Sequence, residues 1–249
     1  MLPTDLERYK RHILLKEIGG PGQQRLRAAH VALVGLGGLG APAALYLAAA
    51  GIGRLTLIDD DRVALSNLQR QVLYRSDQIG AGKTDAARAA LVALNPGVEI
   101  DLRSERLESG NAAALLGDAD VVLDGCDDFA TRFLVNATCH EQGKPLVSGA
   151  VGRWDGQVGV FASGSVVDAP CYRCFVPDIP PDTESCATQG IVGALTGIVG
   201  SVMALEAIKL ITGAGKPLIG RLMLFDGLSG ETRTVKLARD PACGTCGAP

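Results

Sequence analysis

The 249-residue sequence contains no long run of one charge sign, and its 24 basic and 27 acidic residues leave a formal charge of -3. A nucleic-acid groove or an anionic-membrane surface needs concentrated positive charge, so a small molecule or a protein is the expected partner. The N-terminus, Met1-Leu2-Pro3-Thr4-Asp5, runs directly into a charged amphipathic segment without the basic and apolar regions of a secretory signal, which points to a cytoplasmic protein. No uncharged apolar stretch reaches the roughly 18 residues of a spanning helix. The longest, Gly190 to Leu205, is followed by Glu206 and Lys209 and reads as a buried helix. Its small residues Gly193, Gly197, Ser201 and Ala204 recur at near-helical spacing, so one face is expected to admit a second helix, across a subunit interface. There is no internal repeat.

What the chain does have is 47% hydrophobic residues, enough to bury a substantial core within the range of a single α/β domain. Thr4 and Glu7 form a capping box for a helix through Tyr9, Ile13 and Leu14 to about Ile18, where Gly19-Gly20-Pro21-Gly22 is expected to stop it. Residues 1–28 thus read as a helical N-terminal arm. Strands are expected over His30–Val34, Leu55–Ile58, Val98–Leu102, Val121–Leu123 and Pro145–Val147, and helices over Ala41–Ala50, Thr84–Leu94, Asn111–Leu116 and Phe129–Gln142. This β-α alternation makes residues 29–150 a Rossmann-like nucleotide-binding core. Beyond it, Trp154-Asp155-Gly156-Gln157 reads as a turn, and Arg221–Phe225 with Thr232–Leu237 flank Gly227-Leu228-Ser229-Gly230 as a hairpin. The fold class is α/β: a mostly parallel sheet with helices on both faces and an antiparallel C-terminal extension in residues 151–249.

Gly35-Leu36-Gly37-Gly38-Leu39-Gly40 follows a strand and opens a helix, the setting in which bare backbone and helix N-terminal amides face a phosphate. Asp59, about 20 residues beyond the loop at the end of the second strand, is placed to accept hydrogen bonds from a ribose. In the polar segment that follows, Asn67, Arg70 and then Lys83 supply the cations and amide donors that a triphosphate requires and hydride transfer does not. The alternative is a solvated loop whose arginine pairs with Asp59, Asp60 and Asp61. Asp127 and Asp128 follow the strand at Val121–Leu123; Asp127 is the Mg²⁺ candidate and Asp128 the better helix cap.

Cys171-Tyr172-Arg173-Cys174 and Cys243-Gly244-Thr245-Cys246 lie about 70 residues apart. Two C-x-x-C pairs in a reducing compartment supply four thiolates, the ligand set of a closed structural Zn²⁺ site; a redox pair is the rival, without a thioredoxin-like setting to support it. Cys186, after the proline-rich stretch from Pro177 to Asp182, is either a nucleophilic thiol near a helix start or an incidental loop cysteine. Cys126 and Cys139 read as small buried thiols.

The sequence resembles the MoeB/ThiF family of sulfur-carrier adenylyltransferases over nearly its whole length, nearest to the MoeB branch. The resemblance rests on Arg8-Tyr9-Lys10-Arg11, Val34 to Gly40, Ser66-Asn67-Leu68-Gln69-Arg70-Gln71, Pro145 to Ala150 and Pro170-Cys171-Tyr172-Arg173-Cys174 with its distal pair. It implies ATP- and Mg²⁺-dependent activation of the C-terminal glycine of a ubiquitin-like sulfur carrier as an acyl-adenylate, with release of pyrophosphate. It implies nucleotide contacts from Gly38, Asp59, Ser66, Asn67, Leu68, Gln69, Arg70, Lys83, Asp127 and Asp128, with Asp127 at the Mg²⁺. Arg11 matches an arginine inserted into the neighbouring subunit's site, which implies a homodimer, and Cys186 aligns with a cysteine that in some relatives links covalently to the carrier. Asp128 stands where the family's Thr-Asp-Asn has asparagine, and Cys126 lies in an altered stretch. With no extension after Pro249, the expected carrier is MoaD-like, in molybdopterin synthesis; a ThiS-like carrier for thiazole synthesis is the rival. From other classes, an NAD-dependent oxidoreductase leaves Arg70, Lys83 and the Cys₄ set without a use, and a non-catalytic carrier scaffold leaves the nucleotide residues so.

Overall fold

In the computed structural model, which describes residues 3–179 and 190–247, the arm departs from the single helix expected. It consists of α1 (Pro3–Arg8), α2 (Lys10–Ile13), a turn, and α3 (Gly19–Ala28), so the Gly19-Gly20-Pro21-Gly22 segment begins a helix instead of ending one. Proline fits a first turn, whose amides have no intrahelical partner to lose. Gly22 permits close seating, since a Cβ there would stand 2.9 Å from Ile18 Cγ2. Tertiary bonds hold α3 in place: Gln23 Nε2 donates to the Ala50 carbonyl at 2.8 Å, and the Arg25 guanidinium donates to the Thr212 carbonyl.

The arm is fastened to the core by Tyr9, which is buried. Asn95 Nδ2 donates to the Tyr9 hydroxyl at 2.8 Å and to the Ala48 carbonyl at 2.7 Å. The phenol ring fills the space beside Gly51, the left-handed residue (φ 82°) that ends the helix preceding it.

The core elements are β1 (His30–Val34), α4 (Gly40–Ala50), β2 (Arg54–Ile58), α5 (Lys83–Leu94), β3 (Glu99–Arg103), α6 (Ala112–Leu116), β4 (Val121–Asp124), α7 (Phe129–Glu141) and β5 (Leu146–Gly152). They are followed by β6 (Asp155–Phe161), α8 (Tyr172–Phe175), α9 (Gly193–Thr212), β7 (Arg221–Asp226) and β8 (Glu231–Lys236). One eight-stranded sheet results, ordered β3-β2-β1-β4-β5-β6-β7-β8. Pairing is parallel from β3 through β5 and antiparallel from β5 through β8. β1 and β4 are buried at every position, as strands covered on both faces must be. Trp154–Gln157 is only partly a turn, because Asp155, Gly156 and Gln157 already pair with β5 and β7.

α9 is the one helix among the described residues long and apolar enough to cross a membrane. Here it packs on α4, β5 and β6 as a core helix. Of the small residues singled out by spacing, Gly193 meets backbone, with an added Cβ 2.2 Å from the Gln69 carbonyl oxygen, and the contact with α4 is made at Gly200. A Cβ at Gly200 would stand 2.5 Å from the Leu39 carbonyl oxygen and from Pro42 Cγ, whereas nothing lies within 4 Å of Gly197. The partner at this face is α4 of the same chain.

Asn95→Ala removes the buried donor shared by the Tyr9 hydroxyl and the Ala48 carbonyl, which keeps only its bond from Gly51 N, a loss of roughly 1–3 kcal/mol. Urea unfolding is expected to show it as a lowered midpoint with an unchanged slope.

Candidate active site

Strand order reverses between β1 and β4, and the crevice at their C-terminal ends is where ligands of open α/β sheets bind. A cleft of about 580 Å³ lies there. The glycine loop forms one wall. Gly35 takes φ +84°, and a Cβ at Gly40 would stand 1.9 Å from the Gly35 carbonyl oxygen, so the chain can turn from β1 into α4 this tightly only without those side chains. Gly38 faces Thr196 of α9, whose Cγ2 would lie 3.0 Å from an added Cβ.

Asp59 at the end of β2 accepts from Leu36 N at 2.7 Å and from Asp61 N at 2.9 Å, tying the second strand to the loop. Burial raises its carboxyl above the usual range, against the opposing pull of Lys83. Lys83 is itself buried, with Nζ 2.7 Å from Asp61 and 4.0 Å from Asp59. Tyr74 donates its hydroxyl to Leu36 O at 2.9 Å, and burial together with the charges of Asp59 and Asp61 pushes its phenol upward. The alternative pairing of an arginine with the aspartates does not form among the described residues. Arg62 donates to Gly80 O at 2.7 Å and Arg70 to Ser66 O at 3.1 Å, leaving the Arg70 guanidinium on the cleft wall.

Gly38, Asp59, Asn67, Arg70, Lys83, Asp127 and Asp128 all line the cleft; Ser66, Leu68 and Gln69 do not. Leu68 packs against the core, and Gln69 lies against Gly193 at the start of α9. Asp127 is exposed at the cleft edge, while Asp128 caps α7 through a 2.8 Å bond from Thr131 N. An exposed carboxylate beside a phosphate-binding loop is an oxygen donor of the kind Mg²⁺ accepts, so Asp127 fits that ion. Arg11 is exposed on α2 and is not among the cleft residues of its own chain. Cys186 lies outside the described residues.

Sequence reading missed Gln71, Arg132, Gln157 and Thr196, which also line the cleft. Arg132 is the most consequential. Fully buried on α7, it contacts Asp124 at 3.2 Å, Ser148 Oγ at 3.0 Å and Gly149 O at 2.8 Å, and it also donates to the Cys126 carbonyl. The signal was Asp124, a carboxylate ending an otherwise apolar strand, which requires a buried partner. Cys139 is a buried thiol as expected, pushed up to about 12, whereas Cys126 is only half-buried and lines the cleft, with its Sγ donating to Val34 O at 3.5 Å and burial holding it well above its usual value. A second hollow of about 520 Å³, floored by β6 and β7, shares Ala150, Val151 and Gln157 with the cleft and so continues it as a groove.

All four ligand sulfurs of Cys171, Cys174, Cys243 and Cys246 lie within 4.8 Å of one another. The Sγ separations are 3.5 Å for Cys171–Cys243, 3.4 Å for Cys174–Cys246 and 4.0 Å for Cys171–Cys174. A tetrahedral Zn²⁺ with Zn–S bonds of about 2.3 Å implies sulfurs about 3.8 Å apart, so the four residues fit zinc. Burial favours the neutral Cys243 thiol, yet hydrogen bonds from the Cys246 and Thr245 backbone outweigh it and lower that thiol to about 7.

The fold and cleft define a Rossmann-like nucleotide-binding protein with a groove leading away from its phosphate loop. The chain belongs to the ThiF family, which residues 9–245 match. It is 46% identical over 247 residues to a sulfur carrier protein adenylyltransferase of Thermus thermophilus, covering 98% of this chain and 91% of that one. It is 44% identical over 246 residues to a SAMP-activating enzyme E1 of Haloferax volcanii, covering 98% and 90%. Among solved structures, E. coli MccB superposes with a TM-score of 0.85 at 22% identity, over 100% of this chain and 74% of that chain.

Zinc analysis of the purified protein is expected to give stoichiometric metal, and Cys174→Ser to lose it with a fall in thermal midpoint. Stoichiometric zinc in the variant would sink the Cys₄ assignment.

Proposed function

We propose that the protein adenylates the C-terminal glycine of a ubiquitin-like sulfur carrier. The observation that carries this reading is the convergence of Gly38, Asp59, Asn67, Arg70, Lys83 and Asp127 on one cleft that opens into a peptide-sized groove. A redox enzyme would use the loop and Asp59 but has no need for two cations and a groove leading to the sheet extension. The names of the relatives agree with carrier activation, and ATP is the nucleotide such chemistry consumes.

In this reading the glycine loop and the α4 N-terminus hold the phosphates, and Asp59 accepts from the ribose. Asn67, Arg70 and Lys83 then contact the triphosphate. Lys83 exchanges part of its pairing with Asp61 for a phosphate oxygen, which costs little because Asp61 is exposed. A carboxylate oxygen of the terminal glycine attacks the α-phosphorus. The bond from that phosphorus to the oxygen bridging the β-phosphate breaks, pyrophosphate leaves, and a mixed anhydride with AMP remains. No proton moves, because the nucleophile is already ionised; catalysis is alignment and charge neutralisation. Mg²⁺ held by Asp127 together with the phosphates would supply part of that neutralisation. Arg11, exposed on the arm, reaches a cleft only if a second copy presents it, which makes the active form a homodimer. Zinc would clamp residues 171–174 to the C-terminal segment. The carrier is MoaD-like, with a ThiS-like carrier as the rival.

Pyrophosphate exchange into ATP with each purified carrier tests this: exchange with the MoaD-like carrier is expected, and exchange with the ThiS-like carrier alone rejects that choice. Arg70→Ala is expected to cut exchange at least a hundredfold with folding intact. Arg11→Ala and Arg70→Ala, each inactive alone, are expected to recover part of the activity when mixed, because a mixed dimer carries one intact site; failure to recover would remove the trans role of Arg11.

A further inference from the structure

Resting on the adenylation reading, we infer that Gln71 is a binding residue for the terminal peptide unit of the carrier: its side-chain amide takes the N–H and an oxygen of the incoming glycine. Gln71 lines the cleft yet is only 4% exposed. Its Oε1 is buried and has no hydrogen-bond partner among the described residues. A buried carbonyl oxygen without a donor costs stability, so an amide kept there belongs to a ligand-bound state in which the donor arrives.

The backbone of Gln71 is pinned on both sides. Its N–H donates to Asn67 O at 2.9 Å, and its carbonyl accepts from Tyr74 N at 3.1 Å. The side chain therefore projects from a fixed point. Its Nε2 stands 3.6 Å from where a Cβ on Gly37 would be, against the loop that receives the phosphates. On the other side, Thr196 Oγ1 donates to Arg70 O at 3.2 Å, and the adjacent Leu195 packs on Gly156, which lines the adjoining groove. Gln71 thus stands where the phosphate loop meets the groove, the place a tail must cross to reach the α-phosphate.

The chemistry of the group selects its ligand. An amide is neutral, and beside Arg70 and Lys83 it adds little to the binding of a triphosphate. It does present one acceptor and two donors, the complement of a peptide N–H and the oxygens next to it. A site built this way recognises a backbone, not a charge, and suits a residue that lacks a side chain.

Gln71→Met keeps the length of the side chain and removes the amide; Gln71→Asn keeps the amide but withdraws it by one methylene. For each, the thermal midpoint is measured, MgATP binding is measured by calorimetry without carrier, and exchange is measured with whichever of the MoaD-like and ThiS-like carriers the wild type accepts. The expected result is an unchanged or raised midpoint for Gln71→Met and ATP affinity within about twofold of wild type. For both variants kcat/KM for the carrier is expected to fall by roughly ten- to a hundredfold. A parallel loss of ATP affinity would make Gln71 a phosphate ligand, a large drop in midpoint would make it a structural bond, and unchanged carrier kinetics would give it no role; each overturns the inference. Wild-type exchange with neither carrier removes the adenylation reading and this inference with it, so the wild-type control separates the two failures.

Discussion

At the junction of β4, β5 and the loop after β4, one guanidinium satisfies four groups at once. Arg132 reaches the Asp124 carboxylate, the Ser148 hydroxyl and the carbonyls of Cys126 and Gly149. Ser148 completes the cluster by donating to Asp124 at 2.9 Å, and Asp124 also accepts from Cys126 N at 2.9 Å. Taking a charge pair out of water is costly, and it is offset here by filling most of the hydrogen-bonding capacity of both partners. The result is a fixed edge: the loop that carries Asp127 and Asp128 cannot drift relative to the sheet. Asp127 can then remain exposed at the cleft edge, while Asp128 spends its carboxylate on capping α7.

The opposite wall is fixed by packing. Gly35 and Gly40 close on each other, and Gly125 fits beneath them with an added Cβ only 3.1 Å from Gly40 N, so β1, β4 and α4 meet with backbone against backbone. That contact shapes the crevice where strand order reverses. Asp59 bridges the next strand to the loop through Leu36 N, and Lys83 stands over it as a buried cation. The two walls therefore differ in kind. One combines loop amides and the cations Arg70 and Lys83 with the buried carboxylate of Asp59, and the other carries the exposed carboxylate of Asp127.

Most strands and helices were legible because each carries its own period: the apolar run His30–Val34, the small-residue helix Gly40–Ala50 and the hairpin around Gly227–Gly230 all formed where local pattern placed them. The failures share one cause. α3 starts at glycines that local propensity reads as a stop, because Tyr9, Gln23 and Arg25 dock the arm onto the core. α9 meets α4 at Gly200, which spacing alone did not single out, because the position of α4 decides which face is crowded. Spacing in sequence reports periodicity; it does not report the neighbour.

The same division holds at the site. The nucleotide loop, Asp59, Arg70, Lys83, Asp127 and the two cysteine pairs were candidates on the sequence alone, since each of these chemistries needs particular residue types at short, local spacing. Whether those groups meet was decided by the tertiary structure. Sheet order alone carries Asp127 to the same cleft as Gly38, and brings Cys171 to Cys243 across 72 residues. The fold alone also showed Arg132 and Gln71 to be buried polar groups at the cleft, because their partners lie on other elements and a polar residue announces no burial until its surroundings exist.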